Sequence, residues 1–111
     1  MKMTSQDYNE ITVVELQGEL TDDFVDQLKT MVQNLIGQQK PGIVLDMSKV
    51  SFIDSKGLEQ LLWVRDYCYE NNSQLKLAGL DENCSRILEI TRLKNDFDHH
   101  DELAEAVKSF A

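Results

Sequence analysis

Proline and cysteine are scarce in this chain of 111 residues, which contains one proline and two cysteines. Cys68 and Cys84 lie outside any CxxC or metal-ligand spacing, so neither a zinc site nor a disulfide framework is indicated. Residues 1–7 are mostly polar and contain no apolar run, so an export signal is not expected. We therefore expect two reduced thiols, with Cys68 on the apolar side of its helix, and a cytoplasmic protein.

Basic residues and long apolar runs are lacking as well. Lysine and arginine together number 11 against 20 aspartates and glutamates, which leaves a formal net charge of −9. Phosphate backbones and anionic lipids repel such a chain, so nucleic acid and membrane surfaces are not expected as main partners. No stretch approaches the roughly 20 consecutive apolar residues of a membrane span, so direct membrane insertion is not expected. Acidity instead suits solubility or docking onto a basic protein surface.

Strand patterns alternate with helix patterns along most of the sequence. Strands are predicted at residues 11–20, 43–45 and 75–78, with residues 3–8 as a short partner strand of the first and residues 93–98 as a short strand or extended loop. Apolar residues recur at helical spacing in residues 24–36, 57–69, 81–90 and 101–110. Thr21, Asp22 and Asp23 offer caps and first-turn acids for the first helix, and Asp101 for the last.

This order of elements predicts an α/β fold. We expect a single domain over residues 1–111, with its core at about residues 11–110. A mixed four- to five-stranded β-sheet should carry about four helices packed against it.

The stretch from Asp46 to Leu58 is the most informative part of the chain, and it reads Asp-Met-Ser-Lys-Val-Ser-Phe-Ile-Asp-Ser-Lys-Gly-Leu. It places Ser55 directly after Asp54, where a loop is predicted to turn into a helix. A serine at a helix start caps unpaired backbone N–H groups, and it can equally well carry a phosphate there. The local pattern leaves both roles of Ser55 open.

The pattern Asp46-x-Ser48-x-Val50-x-Phe52-Ile53-Asp54-Ser55-x-Gly57-Leu58, preceded by Gly18-Glu19-Leu20, resembles the STAS domains and, within them, the bacterial anti-sigma factor antagonists. The resemblance implies a small non-enzymatic switch without cofactor or metal. It implies that Ser55 is phosphorylated by a serine kinase that is also an anti-sigma factor. The unphosphorylated form binds that kinase and frees the sigma factor, phosphorylation abolishes binding, and a serine phosphatase restores the first state.

The expected partner-binding surface lies at the starts of the first two helices. Its residues are Asp22, Asp23, Asp54, Ser55, Lys56, Gly57, Leu58, Glu59 and Trp63. Thr21 stands where the family commonly has aspartate, and Glu59 and Trp63 stand where small residues are usual, which bears on the identity of the partner more than on the fold. Trp63 is either an exposed anchor for a partner or a side chain packed beneath a neighbouring element. The oligomeric state stays open between a monomer and a weak dimer.

Rival chemical interpretations are weaker. Asp46 and Asp54 bracket the Ser55 loop, but a magnesium or aspartyl-phosphate site needs several clustered carboxylates and a lysine, so capping roles are favoured. His99 and His100 sit between Asp98 and Asp101, yet adjacent histidines diverge and no third ligand follows at an expected spacing, so a solvated turn is favoured. Without a phosphate loop or a nucleophile–base motif, an enzyme or nucleotide binder is the least favoured class.

A second function of a different class also fits the resemblance. The chain could be a constitutive STAS-like accessory subunit of a membrane lipid-transport complex. Its interface would then be permanent, and Ser55 would serve only as a cap.

Overall fold

The computed structural model describes residues 1–110, which form one α/β domain around a five-stranded mixed sheet. The strands are β1 (Lys2–Tyr8), β2 (Ile11–Leu20), β3 (Gly42–Ile53), β4 (Gln74–Ala78) and β5 (Asp98–His100). They lie side by side in chain order. β1 is antiparallel to β2, and the later strands run parallel to one another. The fold class predicted from the sequence is therefore confirmed.

Four helices of the described chain cover the two faces of the sheet unequally. They are α1 (Val25–Gly37), α2 (Ser55–Glu70), α3 (Glu82–Ile90) and α4 (Leu103–Lys108). The larger core joins one face of the sheet to α1, α2 and α3, whereas a smaller cluster around Ala106 joins α4 to the other face. The alternation in β2 explains the division, because Val14 and Leu16 enter the larger core while Val13 faces α4. None of the helices in residues 1–110 has the length and apolar content needed to cross a membrane.

The third strand departs most from the sequence-based expectation. The predicted strand at residues 43–45 extends to Ile53, so the predicted loop before Ser55 is wrong. The reason is tertiary: β2 pairs with β3 as far as Leu20↔Ile53, through two register shifts. β4 stops pairing at Ala78↔Asp46, so the second half of β3 has a strand neighbour on one side only and tolerates exposed polar residues.

Two predicted caps and one predicted turn are also wrong. Neither Thr21 nor Asp101 makes a capping bond: a 3-10 helix (Asp22–Phe24) leads into α1, and α4 begins after Glu102. His99 and His100 lie in β5 rather than in a solvated turn, because β4 supplies a pairing partner for them. A second 3-10 helix (Lys94–Asp96) precedes the buried Phe97.

Candidate functional site

The predicted site lies where the carboxyl ends of β2 and β3 meet the start of α2. The backbone N–H of Asp54 donates to the carbonyl of Leu20 at 3.2 Å, which brings the two strand ends together. Gly57 packs directly against the same carbonyl, and a β-carbon at this position would overlap its oxygen. The glycine is therefore required for the close approach of α2 to β2, and it is buried rather than available to a partner.

Asp54, not Ser55, caps α2. Its backbone is extended, and its Oδ1 accepts a hydrogen bond from the N–H of Gly57 at 2.8 Å. The interpretation of Ser55 as the N-cap is thus wrong, whereas the capping role considered for Asp54 is confirmed. Ser55 is the first residue of the helix and is exposed, and among residues 1–110 its hydroxyl has no hydrogen-bond partner.

The other predicted acid, Asp46, has a local structural role. It is 7% exposed, and its Oδ1 accepts a hydrogen bond from the N–H of Ser48 at 3.1 Å, at the first register shift between β2 and β3. Asp46 lies in the middle of β3 and Asp54 follows the end of that strand. Within residues 1–110, no three histidine, cysteine, aspartate or glutamate side chains are grouped closely enough to hold a metal ion.

Charged side chains surround Ser55. Lys56 and Glu59 are exposed and lie 3.6 Å apart as an ion pair on the first turns of α2. Asp22 and Asp23 are exposed on the 3-10 helix that contacts α2. The predicted site residues thus carry four carboxylates, Asp22, Asp23, Asp54 and Glu59, against the single ammonium of Lys56. This end of the molecule is acidic, and the ammonium of Lys56 already forms an ion pair with Glu59.

Trp63 lies about two turns after Ser55 on α2 and is half-buried. Its ring stacks on Tyr67, with centroids 4.8 Å apart and an interplanar angle of 12°. The ammonium of Lys29, on α1, lies 4.8 Å from the centre of the Trp63 ring. The indole therefore lies on the seam between α1 and α2. Leu58, one turn after Asp54, is half-buried against the larger core.

Sequence reasoning missed Phe52 and Asn83. The Phe52 side chain is 42% exposed, one of few large apolar side chains at the surface, and it lies three residues before Ser55. Asn83 Nδ2 donates to the carbonyl of Ser51 at 2.9 Å, so the start of α3 takes the place of the missing β4 neighbour. A signal was available in the pair Phe52-Ile53: adjacent strand residues face opposite sides, so one of these two had to point away from the core.

The two cysteines are buried structural thiols. Burial raises the pKa of Cys68 to about 11. Burial, followed by the hydrogen bond and charge of Asp81, raises the pKa of Cys84 to about 12. Both are free of disulfides and unreactive in this environment, so they do not contribute to the site.

The sequence and the fold each match known proteins. A sequence profile described as STAS domain matches residues 2–106. A putative anti-sigma factor antagonist from Thermotoga maritima superposes with a TM-score of 0.88 at 19% identity, over 96% of this chain and 92% of that chain.

Two further solved structures cover different uses of the fold. SpoIIAA, a Bacillus cell fate determinant solved in its phosphorylated form, gives a TM-score of 0.75 at 19% identity, over 99% of this chain and 100% of that chain. A sulfate transporter family protein from Wolinella succinogenes gives 0.77 at 21% identity, over 92% of this chain and 85% of that chain. At such identities the likeness establishes the fold alone.

Proposed function

The chain belongs to the STAS domain family, and we propose that it is an anti-sigma factor antagonist switched by phosphorylation of Ser55. The observation that carries the proposal is that the capping bond and the exposed hydroxyl belong to two different neighbouring residues. Asp54 caps α2 through the N–H of Gly57, so the exposed hydroxyl of Ser55 is left free for modification. A phosphate on Ser55 would therefore cost the fold no capping bond.

The helix start favours the phosphorylated form of the free protein. Phosphoserine adds a charge of about −1.5 to −2 and three acceptor oxygens. At the first residue of α2 this charge meets the unpaired N–H groups and the positive end of the helix dipole, an interaction worth about 0.3–1 kcal/mol at exposed sites. The acids around Ser55 oppose part of that gain, so the net effect on stability is small.

In the complex with a partner, the phosphate on Ser55 becomes unfavourable. The surface around Ser55 carries exposed carboxylates, and the half-buried Leu58 follows one turn later on α2. A partner that covers Ser55 and Leu58 must remove water from this region, and a newly charged phosphate resists that desolvation. Phosphorylation therefore weakens the complex through desolvation and repulsion, with no change in the fold of the antagonist.

The proposed partners are a serine kinase and a serine phosphatase. A cytoplasmic serine kinase that is also an anti-sigma factor binds the surface formed by Asp22, Asp23, Asp54, Ser55, Lys56, Leu58, Glu59 and Trp63, and Gly57 allows the close packing beneath it. A serine phosphatase restores binding. The chain itself acts as a binding protein and not as an enzyme. The phosphorylated SpoIIAA structure supports the proposal by showing a STAS-fold protein in a modified state.

The test combines phosphosite mapping with binding of a purified kinase partner. We expect mass spectrometry of the protein isolated from its own cells to find phosphate on Ser55. Ser55→Ala should bind the kinase like the wild type and resist phosphorylation, whereas Ser55→Glu should bind at least about tenfold more weakly. Gln74→Glu is the matched control, because it adds the same charge at an exposed position at the opposite end of the parallel strands. Equal binding by Ser55→Ala and Ser55→Glu would reject the switch.

The sulfate transporter neighbour favours one alternative, a constitutive subunit of a membrane transport complex. In that case Ser55 carries no phosphate, and variants at this position bind the complex equally well. Genes for a serine kinase and phosphatase beside this one support the switch, whereas transporter genes support the subunit.

A further inference from the structure

The outer edge of β1 is unpaired along its whole length in the described chain. β1 spans seven residues and has β2 as its only strand neighbour, whereas the opposite edge strand, β5, spans three. Its pairing with β2 is uninterrupted from Lys2↔Gln17 to Tyr8↔Ile11, so no bulge twists the edge away. Native edges are commonly protected by proline, bulges or inward-pointing charges. Between its ends, from Met3 to Gln6, β1 has none of these.

The hairpin geometry determines which backbone groups of β1 are free. Residues 9 and 10 form a two-residue turn, with a positive φ at Asn9 alone, as in a type II′ turn. In such a hairpin the flanking pair, Tyr8 and Ile11, exchanges both hydrogen bonds, and the bonding alternates from there. Lys2, Thr4, Gln6 and Tyr8 therefore bond to β2. The backbone groups of Met3, Ser5 and Asp7 point outward and are available to another strand.

The groove beside this edge contains few charged residues. A groove between β1 and α1 is lined by Met3, Asp26, Gln27, Thr30, Met31 and Asn34, of which Asp26 alone is charged. Charged residues make up 28% of the chain, and its net charge is −9. Two copies repel each other over most of their surface, so self-association requires a region with few acids. The groove contains one acid, Asp26, and the one acid of β1, Asp7, is ion-paired with Lys40, so this region is close to neutral in a chain of net charge −9.

We propose that β1 is a homodimer interface, in which two copies pair their β1 strands antiparallel about a two-fold axis at Ser5. This register pairs all seven residues and places outward-pointing residues opposite one another: Ser5 faces Ser5 of the partner copy, and Met3 faces Asp7. No like charges stand directly opposite each other. The two five-stranded sheets become one continuous sheet, and both α1 grooves come to lie on the same side of it.

The proposal is independent of the function proposed for Ser55. It requires no phosphate and no other protein, and its interface residues lie on β1 and α1, outside the surface proposed for the kinase. Asp7 does not obstruct pairing, because its carboxylate already accepts hydrogen bonds from Thr12 at 2.7 Å and from Lys40 at 3.3 Å.

Engineered disulfides test the register. A directly opposed, hydrogen-bonded pair has its Cα atoms about 5.5 Å apart, within the span of a disulfide. Ser5→Cys should therefore form a covalent dimer under mild oxidation. Thr4→Cys is the matched control, because its two copies would be offset by two residues, with Cα atoms roughly 8 Å apart and beyond disulfide reach. The buried native thiols, Cys68 and Cys84, stay out of the reaction.

Sedimentation equilibrium tests the noncovalent dimer. We expect the weight-average mass of the wild type to rise from 12.8 kDa toward twice that value as its concentration increases from about 10 µM to 1 mM, as for a small interface. Ser5→Lys places two ammonium groups at the axis and should keep the protein monomeric, whereas Gln74→Lys, which adds the same charge at the start of β4, should not. The proposal is overturned by a wild type that stays monomeric throughout, by equal cross-linking of Ser5→Cys and Thr4→Cys, or by equal effects of the two lysine variants.

Discussion

The carboxylate of Asp54 accepts a hydrogen bond from the backbone N–H of Gly57 at 2.8 Å, and this bond caps the helix that begins with Ser55. The site therefore has two chemically distinct oxygen groups side by side. The Asp54 carboxylate is used in the capping bond, and the Ser55 hydroxyl is exposed to solvent. The first predictions concern this pair and the glycine beneath it.

Removing the cap should destabilise the protein more than removing the hydroxyl. Asp54→Ala should lower the free energy of unfolding by about 1 kcal/mol, because the N–H of Gly57 loses its partner. Ser55→Ala should change it by no more than about 0.5 kcal/mol, since an exposed side chain without a hydrogen bond is removed. Urea titrations followed by circular dichroism measure both values. Asp54→Asn, which keeps a capping oxygen, is the control and should recover most of the loss. Equal losses for the two alanine variants would contradict the assignment of the cap.

The contact between Gly57 and the Leu20 carbonyl makes a second prediction. Gly57→Ala should destabilise the protein by about 1–3 kcal/mol, because the added methyl overlaps a backbone oxygen that cannot move without displacing β2 or α2. Gly37→Ala is the matched control: no neighbouring atom lies within 4 Å of the position that its β-carbon would take, and alanine in a helix should stabilise by about 0.4–1 kcal/mol. Thermal unfolding of both variants gives the comparison. A neutral Gly57→Ala would show that α2 does not need this close approach.

The stack of Trp63 on Tyr67 predicts a moderate role in stability. Trp63→Ala should lower the free energy of unfolding by about 1–2 kcal/mol, less than the roughly 3–5 kcal/mol of a fully buried tryptophan, because the ring is half-buried on the seam between α1 and α2. Trp63→Phe should retain much of the stack and lose less. Kinase binding is then measured at a temperature where each variant is fully folded. A variant that binds normally would assign Trp63 to packing alone.

The buried cysteines predict a loss of stability in alkaline solution. Their folded-state pKa values, about 11 for Cys68 and about 12 for Cys84, lie above the ordinary value of 9.0. The neutral thiols therefore contribute stability that is fully present below pH 9 and is lost as the pH rises toward 11–12, because the unfolded chain ionises first. Urea titrations at pH 8, 9 and 10 should show a smaller decline for Cys68→Ala than for the wild type.

Thiol labelling provides an independent check of the same burial. At pH 8 a disulfide reagent such as Ellman's should leave both cysteines of the native protein unreacted and label both in urea, because only the thiolate attacks and burial disfavours it. Rapid labelling of either cysteine in the native state would contradict the raised pKa values.

Particular residues show which parts of the fold could be predicted from the sequence. The alternation in residues 11–20 and the helical spacing in residues 24–36 are local patterns, and both elements were found at nearly the predicted positions. The end of β3 could not be read in the same way, because Ser48, Lys49 and Ser51 are polar and suggest a loop. They remain in the strand because β2 continues beside them as far as Leu20. Adjacent strand residues face opposite sides, so one member of the pair Phe52-Ile53 had to be exposed, and only the packed structure decided that it is Phe52.

The order of amino acids alone determined the alternation of strands and helices, the acidic character of the chain and the position of one serine at the start of a helix, since each depends on neighbours within a few residues. The folded structure decided which oxygen caps that helix, how far β3 runs, which side chains near the serine reach solvent and which strand edge stays open. Those properties depend on groups that are far apart along the chain and meet only when the sheet and helices pack together.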